Sequence, residues 1–209
     1  VEIKNQRALA TLLARLRKGN LQQSGVKEEL IPPSKEVAYR VAHLVERELG
    51  WKVKGWKIAA TNTEMQRALR TDTPIYGRVY SQFIKQSPLT VNFDELSSPI
   101  PEAEYQVFLG KDLPPRVDSY KISEVADAVS SMHPGLELAE CRFKHDKKFP
   151  PLEVILADGA GSGVLVYGPP ILDWRNIDIA NNEVSLLRNG NLQRKGTALK
   201  ALEHPLIPL

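Results

Sequence analysis

The 209-residue chain contains one cysteine, Cys141, so no disulfide can close within it and a reducing compartment is expected. No apolar run approaches the roughly 18–20 residues that span a bilayer, which argues against a membrane role. A basic leader followed by an apolar segment and a small-residue cleavage site is also missing. Cytoplasm is the expected location. Val1 stands where an initiator would, so an initiator region is expected to be missing or processed. Charge of one sign is scarce in excess: 28 basic against 25 acidic side chains leave +3. No dense Lys/Arg block with interleaved aromatics occurs, so nucleic acid is not an expected partner. The nearest run, Lys144-His145-Asp146-Lys147-Lys148, contains an acid and reads as a solvated loop. Internal repeats and low-complexity tracts are absent as well.

What is present is ordinary globular material, 42% hydrophobic and 25% charged, in a length that suits one domain with a real core. The first third reads as helical. Leu9, Leu12, Leu13 and Leu16 recur at helix spacing and Gly19 is a stop. After Pro32-Pro33, Ser34 is an N-cap for a second helix striped by Val37, Val41, Leu44 and Val45, ending at Gly50. Thr63 is expected to cap a short helix to Leu69, and Ser123 another through Met132. The remainder reads as strands at Glu102–Leu109, Leu136–Phe143, Glu153–Leu156, Gly163–Tyr167 and Glu183–Leu187. Asn189-Gly190 signals a tight antiparallel turn. The expected class is α+β, with residues 1–50 as a helical arm and 51–209 as a β-rich body.

Glu102 and Glu104 lie two residues apart in an otherwise apolar strand, so both project from one face, their Cα atoms roughly 6.5–7 Å apart. Like charges side by side on a half-buried strand are costly unless a cation lies between them. A divalent ion such as magnesium suits that role, although an edge strand with a solvated face is the plainer reading. Glu137, embedded in Leu136-Glu137-Leu138, needs an arginine or a metal. Lys57, between Trp56 and Ile58, either snorkels or meets an anion. Ala157-Asp158-Gly159-Ala160-Gly161-Ser162-Gly163 reads as a small-residue turn between two strands, open to close approach by a ligand. It matches no phosphate-binding motif.

The order of these pieces resembles one family. Gly55-Trp56-Lys57-Ile58-Ala59-Ala60-Thr61-Asn62, Pro74-Ile75-Tyr76-Gly77-Arg78, Glu102-Ala103-Glu104, Leu136-Glu137, the loop from Ala157 to Gly163, and the tail from Asp173-Trp174-Arg175 to His204-Pro205-Leu206 run collinearly. Together they resemble the 2-keto-4-pentenoate hydratase and 4-oxalocrotonate decarboxylase family, within the fumarylacetoacetate hydrolase superfamily. The resemblance implies a mixed β-sandwich roll carrying magnesium or manganese on Glu102, Glu104 and Glu137. It implies Lys57 as the active-site lysine, with Asp158, Gly161 and Ser162 beside it at the substrate. A small 2-oxo acid would be chelated and water added to its dienolate form. A homo-oligomer is the implied assembly, with a complex with a partner pathway enzyme as a further expectation.

The chain departs from the family pattern in several places. Ile75 stands where the hydratases carry an aspartate, and that form looks more like the decarboxylases. Gly55-Trp56-Lys57-Ile58 looks more like the hydratases. Glu140 and Cys141 replace Asp-Ser, and Gly159 and Gly161 replace asparagine and serine. Ending after Pro208-Leu209, the sequence is expected to lack a closing segment. Hydration is therefore the leading expectation and decarboxylation its alternative. Acylpyruvate hydrolysis and a non-catalytic subunit that binds metal and ligand stand behind them. The hydrolase reading needs a histidine base, and His43 reads as a helix-surface residue instead.

Overall fold

A computed structural model describes residues 2–145 and 148–209. Asp146 and Lys147, in the middle of the charged run, lie outside the described residues, as does Val1. Helix α1 (Ile3–Lys18) buries Leu9, Ala10, Leu13 and Leu16, and its C-cap Gly19 donates its N–H to the Arg15 carbonyl. Helix α2 (Lys35–Leu49) begins at Ser34, whose side chain accepts the Val37 N–H. It ends at Gly50 in the left-handed region, φ 65°. Both ends follow the residues expected to make them. The two helices share a core with Tyr80, Phe143 and Val154, so α1 and α2 pack directly on later parts of the chain.

Three small sheets follow. Strands β1 (Val53–Ala59) and β2 (Ile75–Tyr80) form an antiparallel pair, with α3 (Thr63–Leu69) between them. Asn62, not Thr63, caps α3, its side chain accepting the Met65 N–H. The largest sheet has the order β3 (Ile84–Gln86), β6 (Val164–Tyr167), β5 (Val129–Ala139), β4 (Ile100–Leu109). Its β3–β6 pairing is parallel and the others antiparallel. Strands β7 (Glu183–Arg188) and β8 (Asn191–Thr197) form a hairpin. Its turn residues Asn189 and Gly190 both have positive φ, as an Asn-Gly turn requires. The expected α+β class is the one adopted.

Several local expectations are overturned. Residues 153–156, read as a strand, belong to helix α5 (Leu152–Ala157), which starts after Pro150-Pro151. Leu152 and residues 154–157 are all buried, so the run has no polar face from which strand and helix could be told apart. The loop from 157 to 163 therefore joins a helix to a strand. The helix expected from Ser123 through Met132 stops at Ala128: α4 (Ile122–Ala128) gives way at β-branched Val129 to β5, which holds Met132 in its interior. Strand β5 in turn ends at Ala139, before Cys141 and Phe143.

Candidate active site

The β4–β5 register sets Glu102 opposite Glu137 and Glu104 opposite Gly135. Alternation puts Glu102 and Glu104 on one face, and pairing adds Glu137 to it. One carboxylate oxygen from each of the three lies within 4.8 Å of the others. From β1, Lys57 enters the cluster with Nζ 3.1 Å from Glu137 Oε2 and 3.4 Å from Glu102 Oε2. Glu137 is 0% exposed and Lys57 5%, whereas Glu102 remains partly open to solvent. The lysine has met an anion, one of the two outcomes its apolar flanks allowed.

Three carboxylates against one ammonium leave two negative charges without a partner inside the cluster. The consequence is visible in the proton affinities. Burial, with the charge of Glu137 next, pushes the Glu104 carboxyl well above the usual carboxylate range. Burial also raises Glu137, against the pull of Lys57. For Lys57 itself, burial alone would lower the pKa, but the charges of Glu137, Glu102 and Glu104 together raise it, and the ammonium stays protonated. Glu137 Oε1 accepts the Gly163 N–H at 3.1 Å, while Oε2 is buried against the Lys57 ammonium, 3.1 Å away. One ammonium shared among three carboxylates leaves an excess of negative charge that a hard divalent cation would satisfy, and the donor set is all oxygen. The residues present fit such an ion.

Glycine is required at 163, because a Cβ there would collide with the Leu138 carbonyl oxygen. That close approach brings the Gly163 N–H to Glu137. The rest of the loop is held by buried charge. Asp158 pairs with Arg17 Nε at 3.0 Å and accepts the Arg142 backbone N–H at 2.9 Å. Arg17 also donates to the carbonyls of Asp158 and Ser162. The Gly161 carbonyl accepts the Glu140 N–H, and the buried Ser162 donates its N–H to Gly159. The side chain of Asp158 is thus engaged by arginines, while Lys57, Glu102, Glu104 and Glu137 come together. Ile75, 1% exposed, sits in an apolar cluster with Ala60, Leu69 and Ile155. His43 is exposed on α2, 3.6 Å from Glu46.

The reading of the sequence missed Arg17, whose partner is 141 residues away, and no local signal could have found it. Gln106 was missed although a signal existed, since it occupies the next position on the face of Glu102 and Glu104. An open cleft of about 1800 Å³ is lined by Lys57, Glu102, Glu104, Gln106 and Ile75, among others.

No protein-family model matches the chain. A 2-keto-4-pentenoate hydratase of Paraburkholderia xenovorans is 30% identical over 158 residues, which are 76% of this chain and 57% of that protein. The chain thus spans little more than half the length of that relative. A 2-hydroxypent-2,4-dienoate hydratase of Pseudomonas putida is 28% identical over 199 residues, covering 89% of the chain and 87% of the relative. Among solved structures, the 4-oxalocrotonate decarboxylase of Pseudomonas putida G7, complexed with magnesium and adipate, superposes with a TM-score of 0.88. It is 22% identical, over 99% of this chain and 78% of that one. By sequence and by fold, the chain therefore resembles the 2-keto-4-pentenoate hydratase and 4-oxalocrotonate decarboxylase family, as a relative of the hydratases with the fold of the decarboxylase.

Proposed function

We propose that the chain is a divalent-metal-dependent lyase acting on a small 2-oxo or 2-hydroxydienoic acid, by addition of water as its hydratase relatives are named for. The observation that carries this reading is the convergence of three carboxylates on one buried lysine, which leaves the cluster with more negative than positive charge. Glu102, Glu104 and Glu137 would hold magnesium, or manganese in its place. When bound, the ion supplies Lewis acidity to the carboxylate and 2-oxo oxygens of the substrate.

The chain's own residues supply the rest. The Gly163 N–H fixes Glu137 Oε1 and leaves Oε2 for the centre. Lys57 Nζ holds Glu102 and Glu137 in position and is the ammonium donor within the cluster for an anionic oxygen. Its burial strengthens that interaction, because little water screens it. Asp158, Gly161 and Ser162 belong to the reading as the substrate-side loop. Asp158 acts there by anchoring the loop to Arg17, which also holds the Ser162 carbonyl, and Gly161 lines the cleft.

Decarboxylation is the second reading, and Ile75 favours it. A buried isoleucine can neither orient water nor move a proton, so nothing at that position assists hydration. The test is turnover of 2-hydroxypenta-2,4-dienoate with and without magnesium, beside carbon dioxide release from a 4-oxalocrotonate-type acid. Water addition that requires magnesium supports the first reading, and carbon dioxide release alone supports the second. If neither reaction occurs but oxalate binds in the presence of magnesium, the chain is a ligand-binding subunit. Failure of oxalate to bind overturns the site. A homo-oligomer in the cytoplasm completes the proposal, and light scattering of the purified protein checks its assembly.

A further inference from the structure

Strand β4 presents a third polar residue on the face of the glutamates. Glu102, Glu104 and Gln106 alternate with Ala103 and Tyr105, and in the β4–β5 ladder Gln106 stands opposite His133. Gln106 is 8% exposed and lines the same cleft as Lys57, Glu102 and Glu104. Its amide Nε2 is buried and has no hydrogen-bond partner among the described residues. A primary amide in that condition has lost its water and gained nothing in exchange.

The direction of the side chain is fixed by its neighbour across the ladder. A Cβ placed on Gly135 would lie 2.5 Å from both Cδ and Nε2 of Gln106, so the amide occupies the space that a side chain at 135 would fill. Gly135 is the residue paired with Glu104 and lies two before Glu137 on the same face. The amide therefore leans back toward Gly135, the residue paired with Glu104. Directly opposed ladder positions have Cβ atoms about 5 Å apart, which sets the amide beside Glu104 at the edge of the carboxylate cluster.

We propose that Gln106 is a substrate-contacting specificity residue. Its Nε2 donates to an oxygen at the far end of the organic acid, and so selects dicarboxylic 2-oxo acids over monocarboxylic ones. The proposal rests on the site reading given above. The glutamate centre and Lys57 engage the carboxylate and 2-oxo oxygens, and a longer acid must run along the β4 face to reach the next donor. A two-carbon acid is too short to use it. Both water addition and carbon dioxide loss can act on a dicarboxylic acid, and a dicarboxylic preference would make the monocarboxylic 2-hydroxypenta-2,4-dienoate the weaker of the water-addition substrates.

The experiment is calorimetry of the whole protein in magnesium with three probes: oxalate, 2-oxoadipate and 2-oxohexanoate, the last two differing only in the distal carboxylate. Wild type is expected to bind 2-oxoadipate at least 10-fold more tightly than 2-oxohexanoate, in line with a hydrogen bond to a charged group. Gln106→Leu should lose that preference while keeping its affinity for oxalate and for magnesium alone. Gln106→Glu, of equal size and without a donor, should lose it too and guards against a folding defect in the leucine variant. Oxalate binding by wild type without a preference for 2-oxoadipate overturns the role of Gln106 alone. So does a preference retained in both variants. Absence of magnesium-dependent oxalate binding by wild type overturns the site reading and the proposal with it.

Discussion

Lys57 occupies an unusual position, an ammonium 5% exposed between carboxylates from two strands of another sheet. Its removal leaves Glu137 with no cation and no water. Lys57→Met should destabilise the metal-free protein by about 3–5 kcal/mol, the range for breaking a buried ion pair. Urea denaturation in chelator measures this, and magnesium should recover part of the loss. Cys141 is the opposite case. Burial pushes its thiol up to about 12, so at pH 8 the native thiolate fraction lies far below that of a free cysteine. Alkylation by iodoacetamide should be slow in the folded protein and rapid in urea, as mass spectrometry over a time course would record. At this scale the sequence was informative where chemistry is local. Glu102 and Glu104 share a face by strand period alone, and the apolar flanks of Lys57 pointed to a charged partner. That the partners would be Glu102 and Glu137 depends on how two sheets pack, which spacing does not encode.

Among the elements, legibility followed amphipathicity. Helix α2 has a clean apolar stripe between Ser34 and Gly50 and was readable to the residue. Helix α5 is buried nearly all round, so its period disappeared and a strand was inferred. Helix α4 was placed but overextended, because Val129 and Met132 continue an apolar pattern into β5. The start of α4 also carries a pH signature. Arg116 grips both oxygens of Glu124, which accepts the Lys121 N–H as well, and these contacts lower its carboxyl to about 2. A carboxyl lowered on folding contributes stability above its unfolded pKa, and the contribution is lost as pH falls through the folded value. NMR titration should therefore show Glu124 protonating near pH 2, and Arg116→Ala should move the midpoint toward ordinary glutamate values.

For the whole molecule, the excess of negative charge at the centre would link folding to binding of the proposed metal. An ion that binds only the native state stabilises it by about 2.7 kcal/mol at a hundred times its Kd. Magnesium should accordingly raise the melting temperature of wild type in scanning calorimetry. The rise should vanish in Glu104→Gln and Glu137→Gln, whereas sodium at matched ionic strength should leave all three unchanged.

The Arg17–Asp158 pair gives this architecture a historical dimension. Both side chains are almost sealed from water, at 5% and 1% exposure, and they join residues 141 positions apart. A change at Asp158 alone strands the buried Arg17 charge, and a change at Arg17 leaves Asp158 to Arg142 without its nearer cation, so each is a deleterious intermediate on the path to any neutral replacement of both. Lineages descended from such a chain would cross that valley rarely and in paired steps. A scan of double substitutions at 17 and 158 should find the tolerated combinations along the diagonal of matched charge or matched apolarity, with the single-change margins depleted.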